Sequence, residues 1–137
     1  MTVIRSAERR RTETPNAVMT TLASPTQGGA ATAVWHVDMK PGRVGPFHAF
    51  DAETVWTFLG GQATIALDGR TFDVAAGDTV VMPADAPRRL TAADDGFTAL
   101  VTAPAGAKVY NPDEITPEDA CAMAPKDAER LIPLWTR

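Results

Sequence analysis

GRVGPFHAFDAETVWTFLGGQATIALDGRTFDVAAGDTVVMPADAPRRL, residues 42–90, is the stretch whose reading settles the fold. It divides into strand-length runs separated by turn residues. Thr54 to Leu59 is rich in β-branched and aromatic side chains, and Gly60-Gly61 is expected to turn it. Gln62 to Leu67 then leads into Asp68-Gly69, the strongest hairpin signal in the chain. Arg70 to Val74 returns, Ala76-Gly77-Asp78 turns again, and Thr79 to Met82 runs into Pro83. Arg88 to Ala92 begins the next strand.

The same rhythm extends outward on both sides. Upstream, Ala30 to Met39 alternates, with Ala33, Trp35, Val37 and Met39 on one face and Val34, His36 and Asp38 on the other. Ala17 to Leu22 precedes it as a first strand, and residues 1–15 read as a charged, aperiodic tail. Downstream, Phe97 to Thr102 follows a hinge at Asp94-Asp95-Gly96. Strands at roughly ten-residue spacing predict an all-β domain. The end of the chain changes character. Thr116-Pro117-Glu118-Asp119 is a helix-start signature, predicting a short helix through Met123 and a second helical turn from Lys126 to Leu131. Leu131, Ile132, Leu134 and Trp135 form an apolar end that needs covering.

Composition narrows the class. With 137 residues the chain is expected to form one domain, with its core over about residues 17–110 and the tail over about 114–137. A net charge of −4, with Arg9-Arg10-Arg11 as the sole basic run, argues against a nucleic-acid partner. No apolar leader opens the sequence and no apolar run is long enough to span a bilayer, so no membrane role is expected. The lone Cys121 cannot close an intrachain disulfide, which fits a cytoplasmic setting.

From Gly42 onward the chain resembles the cupin superfamily, whose two motifs read G-x5-H-x-H-x3-E-x6-G and G-x5-P-x-G-x2-H. Here Gly42 is followed at that spacing by His48 and Gly61, and Gly77 by Pro83, over about residues 34–102. The resemblance implies a jelly-roll-like antiparallel β-barrel with a short C-terminal helical tail. It also implies pairing of two chains through their sheets, and the apolar terminus suggests the same homodimer. The family binds one metal ion through two histidines and a glutamate of the first motif and a histidine of the second. Those positions carry His48, Phe50, Thr54 and Arg88 here, and Asp85 replaces the glycine of the second motif. A single ligand survives, beside a residue of fixed positive charge, so neither a metal nor another cofactor is expected. A site assembled from His36, His48 and a carboxylate, Asp51 or Glu53, is the remaining metal reading.

Residue chemistry then suggests a small-molecule pocket. By strand periodicity His48 and Phe50 share one face, as do Thr54, Trp56 and Phe58. With Met82, Leu90 and Trp35 as further wall, they compose an aromatic, mostly apolar site with few polar groups. An inward Arg88 needs an anionic partner, either Asp51, Glu53 or Asp85, or a ligand carboxylate, enolate or phosphate. Arg89 is the alternative inward residue. Three functions follow. One is a metal-independent isomerase, cyclase or lyase, with His48 as acid/base and Arg88 as anion holder. The second is a non-catalytic binding or sensing module. The third is an atypical metal-dependent, dioxygenase-like protein.

Overall fold

The computed structural model describes residues 1–112 and 130–137. Its framework is antiparallel sheet. The strands are β1 (Arg10–Glu13), β2 (Ala17–Ala23), β3 (Thr32–Met39), β4 (Ala49–Phe50), β5 (Thr54–Leu67), β6 (Arg70–Ala75), β7 (Thr79–Met82), β8 (Arg88–Pro104) and β9 (Val109–Tyr110). The main sheet runs β1-β2-β3-β8-β5-β6, with β7 also on β5, and β4 pairs with β9 in a small second sheet. Among the described residues no helix is long and apolar enough to cross a membrane.

Three expectations need correcting. First, among the described residues no sheet closes into a barrel, so the barrel and jelly-roll description does not hold. β5 divides its outer edge, pairing Thr54–Thr57 with β7 and Gln62–Leu67 with β6. The sheet therefore forks there, and among the described residues β1, β6 and β7 are its unjoined ends.

Second, Gly60-Gly61 and Asp94-Asp95-Gly96 do not reverse the chain. β5 and β8 pass straight through them, paired on both sides of the irregularity. Phe58 faces Ala99 while Gly60 faces Thr98, so Leu59 is an extra residue in β5; Ala93 to Gly96 bulge from β8 in the same way. Each such insertion moves later side chains to the other face. Thr54, Trp56 and Phe58 point inward before the bulge, and Ala63 and Ile65 after it. Glycine is required here: Gly61 has φ +71°, and a Cβ on it would lie 2.1 Å from the Gly96 carbonyl oxygen.

Third, the C-terminal helices are not found among the described residues. Most of the two segments expected to be helical falls within residues 113–129, outside the described part. Leu131, expected to end the second turn, instead exchanges backbone hydrogen bonds of 2.8 and 2.9 Å with Val109. Only a 3-10 turn at Leu134–Thr136 follows. Trp135 is buried on this chain's own sheet, and its carbonyl accepts a 2.6 Å bond from the Thr21 hydroxyl. Of the apolar end, Trp135 is thus covered by this chain, Leu131 and Ile132 are half-buried, and Leu134 remains exposed.

The N-terminal tail also proves more ordered than its polarity suggests. Arg10–Glu13 form β1 because the free edge of β2 offers backbone partners whatever the side chains are. Inside, β3 shows the expected alternation, with Ala33, Trp35, Val37 and Met39 buried. Phe58 packs between Trp56 and Phe97 at ring distances of 6.3 and 5.3 Å. Burying a side chain of that size contributes about 2–3 kcal/mol.

Candidate functional site

The site grows from one backbone bridge. His48, just before β4, exchanges hydrogen bonds of 3.1 and 2.8 Å with Arg88 at the start of β8. Alternation along β8 then sends Arg88 inward and Arg89 outward. Arg88 is 1% exposed, although it carries the most hydrophilic side chain in the core.

Its guanidinium is held by neutral acceptors. Nε donates to the Ala86 carbonyl at 3.1 Å, Nη1 to the Thr54 hydroxyl at 2.9 Å, and Nη2 to the Pro83 carbonyl at 2.9 Å. One N–H on each terminal nitrogen has no protein partner among the described residues. The guanidinium carbon also stands 5.7 Å from the centre of the Phe50 ring. Arg88 forms no ion pair with a described carboxylate, so of the alternatives open to it Asp51, Glu53 and Asp85 are not paired with it. Asp51 accepts from the Lys108 amide at 2.7 Å and approaches Arg130 at 3.8 Å, and Glu53 is exposed. Burial lowers the Arg88 pKa to about 10, against the raising influence of Tyr110 and Asp85.

His48 adds a second unusual group. Its ring packs edge-on to Phe50 at 5.7 Å, so the imidazole and the guanidinium both neighbour that ring. The two groups are therefore separated by no more than twice that 5.7 Å. The Nδ1 atom of His48 is buried with no hydrogen-bond partner among the described residues. Burial first, and the Arg88 charge second, pull its pKa down to about 3, so the ring is neutral near pH 7.

Thr54 completes the corner. Fully buried, its hydroxyl accepts from Arg88 and, at 3.2 Å, from the Trp56 indole N–H. Arg88 sits opposite Leu67 in register, whereas Thr54 opens the same strand on the far side of the bulge. One side chain thus ties together the two arms of the fork. Met82 pairs with Thr54 across β7, and Leu90 follows Arg88 on the inner face. Trp35 and Phe58 lie in the packed core beyond.

Sequence reasoning missed the residues that hold this corner from outside. The segment Pro83–Pro87 supplies two of the carbonyls on Arg88, and Asp85 anchors it. Its amide donates to the Phe50 carbonyl at 2.7 Å, and its carboxylate accepts the Tyr110 hydroxyl at 2.6 Å. Asp85 has φ +63°, the left-handed conformation natural to the glycine it replaces and tolerated better by Asp than by most residues. Burial and the Asp85 carboxylate raise the Tyr110 pKa, so the phenol keeps its proton. The positive φ was implicit in the motif; the Tyr110 contact, spanning distant segments, had no local signal.

A metal does not fit the described residues. His48 is the sole imidazole facing this corner, with Phe50, Thr54 and a guanidinium at the neighbouring positions. His36 lies on the opposite face, in an outer cleft of about 340 Å³ with Arg9, Arg11, Thr20 and Asp38. That separates the two histidines of the alternative metal reading. Among the described residues no group of three or more His, Cys, Asp or Glu side chains comes together. Another cleft, of about 370 Å³, runs along β5 and β6 beside Thr64, Asp73 and Asp78. Neither cleft includes any of the expected pocket residues.

Comparison with known proteins places these features in a family. Residues 35–103 match the family described as cupin domain. No curated protein matches the chain. Among solved structures, a Bacillus subtilis oxalate decarboxylase mutant is similar at 19% identity and a TM-score of 0.65, over 73% of this chain and 28% of that one. Vicilin from Corylus avellana (hazelnut) is similar at 18% identity and a TM-score of 0.67, over 79% and 36% of the respective chains. A conserved Streptococcus pyogenes protein of unknown function reaches 27% identity and a TM-score of 0.56, over 68% of this chain and 77% of that one. The present chain spans little more than a quarter of the decarboxylase chain, and the first two likenesses speak to fold alone.

Proposed function

This chain belongs to the cupin family, and on that premise we propose that it binds a small organic anion on its inner face, with Arg88 as the anchor. The observation that supports this reading is a buried guanidinium held by a hydroxyl and two carbonyls, without a described carboxylate to neutralise it. A buried charge is costly unless paired, and an incoming carboxylate would pair it through two charge-assisted bonds. Phe50 and Trp56 give the surrounding wall its apolar character.

The isomerase, cyclase or lyase reading asks His48 to exchange a proton near neutrality. An imidazole whose pKa is about 3 is a weak base there and no acid, which favours binding over turnover. The metal-dependent reading loses its support with the separation of His36 from His48.

The test is an NMR titration at pH 7 with propionate and its neutral analogue propionamide, following the Arg88 Nε–H signal. Propionate is expected to bind at least about tenfold more tightly than the amide, and Arg88→Met to erase the difference. Equal binding of the two would contradict the proposal.

A further inference from the structure

The outer face of the sheet carries a second arrangement, independent of the Arg88 corner. Its cleft of about 340 Å³ lies over β1, β2 and β3 and is large enough for a small molecule. Strand register lays one row of side chains along its floor. Arg11 of β1 is paired with Thr20 of β2, and Thr20 with His36 of β3. Directly opposed side chains start about 5 Å apart, so a guanidinium, a hydroxyl and an imidazole line the same space. In the neighbouring row Val18 is paired with Asp38, which brings a carboxylate beside them.

Arg9 completes the cleft. Its backbone is extended, at φ −67° and ψ 136°, so Arg9 and Arg11 present their side chains to one face about 7 Å apart. Ser6 fixes the Arg9 guanidinium: Nε donates to the Ser6 carbonyl at 3.2 Å and Nη2 to the Ser6 hydroxyl at 2.7 Å. That leaves both N–H groups of Nη1 for a ligand. The side chains of Arg11 and His36 have no hydrogen-bond partner among the described residues. Neighbouring charges are otherwise engaged. Arg10 turns to the opposite side, onto Thr26 and the Arg137 carbonyl. Glu13 meets Lys40 at 3.0 Å, and its pKa is lowered first by that partner and least by Arg11. The cleft lining thus sets two guanidiniums against the single carboxylate of Asp38.

Two guanidiniums about 7 Å apart suit a group with nearly two charges and oxygens on several sides, as a phosphate has and a single carboxylate lacks. Asp38 decides what else the ligand carries. An ionised carboxylate only accepts hydrogen bonds, so it repels a second anion and welcomes a hydroxyl. We propose that this outer cleft binds a small phosphate monoester bearing a hydroxyl group, its phosphate between Arg9 and Arg11 and its hydroxyl on Asp38.

The test is a titration at pH 7 with ethyl phosphate, glycerol phosphate and glycerol, following the backbone amide NMR signals of Thr20 and His36. Both phosphates are expected to shift those signals, and glycerol to leave them in place. Glycerol phosphate should bind about two- to fivefold more tightly than ethyl phosphate, and Asp38→Ala should abolish that advantage. Arg9→Gln and Arg11→Gln should each weaken ethyl phosphate binding about five- to tenfold. Arg5→Gln, at an exposed arginine outside the cleft, should leave it unchanged. Equal losses in Arg5→Gln and Arg11→Gln would reduce the binding to general charge attraction and overturn the site. Shifts confined to Arg88 and its neighbours would overturn it too, by moving the phosphate to the inner corner. Ethyl phosphate binding as tightly as glycerol phosphate would overturn the role of Asp38.

Discussion

The inner corner around Arg88 and the outer surface around Arg89 are one residue apart in sequence and chemically opposite. Arg89 lies half-buried against Phe47 and the Gly45 carbonyl, where water remains close to its charge. Arg88 is sealed at 1% exposure among neutral acceptors. The difference comes from strand pleating alone, since successive residues face opposite ways. It teaches that the same side chain is a surface contact in one place and, in the other, a charge that no described carboxylate neutralises. Position on the sheet, not residue type, marks the site.

The comparison breaks most completely if the bulge is disturbed, because the bulge decides which side chains of β5 face inward. Gly61→Val places a Cβ against the Gly96 carbonyl at a positive φ. We expect a stability loss on the order of 4 kcal/mol in urea denaturation. Gly69→Ala is the informative control, since nothing lies within 4 Å of its Cβ, and only the strain of φ +78° should register.

Next in size is Arg88→Met, which leaves Thr54 and the carbonyls of Pro83 and Ala86 without their donor. Ligand binding should weaken by about 100-fold, as when one member of a buried charge pair is removed. Stability should fall by only about 1–2 kcal/mol, because relief from burying the charge offsets much of the lost bonding. Arg89→Met should leave binding unchanged in the same titration, and an equal loss in both variants would dissolve the contrast between the two faces.

The acid limb reads His48. Its folded pKa of about 3 lies below its ordinary value of 6.5, so the unfolded chain binds a proton that the folded chain refuses. The associated stability is complete above pH 6.5 and declines as pH falls toward 3, with a slope of up to about 1.4 kcal/mol per pH unit. The wild type should lose stability relative to His48→Phe as the pH falls through that window, read from their denaturation midpoints. On the alkaline side, anion binding should persist to neutrality and beyond and fail above about pH 10, where Arg88 loses its proton.

The smallest effect belongs to Tyr110→Phe. The hydroxyl steadies Asp85, and through it the segment whose carbonyls orient Arg88. Loss of one such partly exposed hydrogen bond is expected to cost about 0.5–1 kcal/mol, read as a two- to fivefold weaker titration.

Much of this was legible in the sequence, and the remainder had physical reasons to stay hidden. The alternation of Ala33, Trp35, Val37 and Met39 announced a half-buried strand, and Asp68-Gly69 announced a hairpin; the latter pair has φ +50° and +78°. Gly61 and Gly96 marked the places where the strands are interrupted, and both have positive φ, +71° and +75°, but in bulges rather than in the expected turn and hinge. A turn and a bulge demand the same local conformation, and only the pairing of β5 with β8 across both distinguishes them. Closure failed as an expectation for a related reason: which strand occupies each edge of β5 is a long-range competition that no local pattern records. Around the site, spacing brought out His48, Phe50, Thr54 and Arg88. It gave no sign that Arg88 would take carbonyl and hydroxyl partners, because backbone acceptors carry no residue signature. Tyr110 stayed invisible because its contact with Asp85 joins segments 25 residues apart.

A crystal structure of the protein grown with propionate tests the central claim most directly. Propionate is predicted to lie with its carboxylate oxygens about 3 Å from Arg88 Nη1 and Nη2. An ion coordinated by His48 at that position, or propionate bound elsewhere with the guanidinium undisturbed, would contradict it.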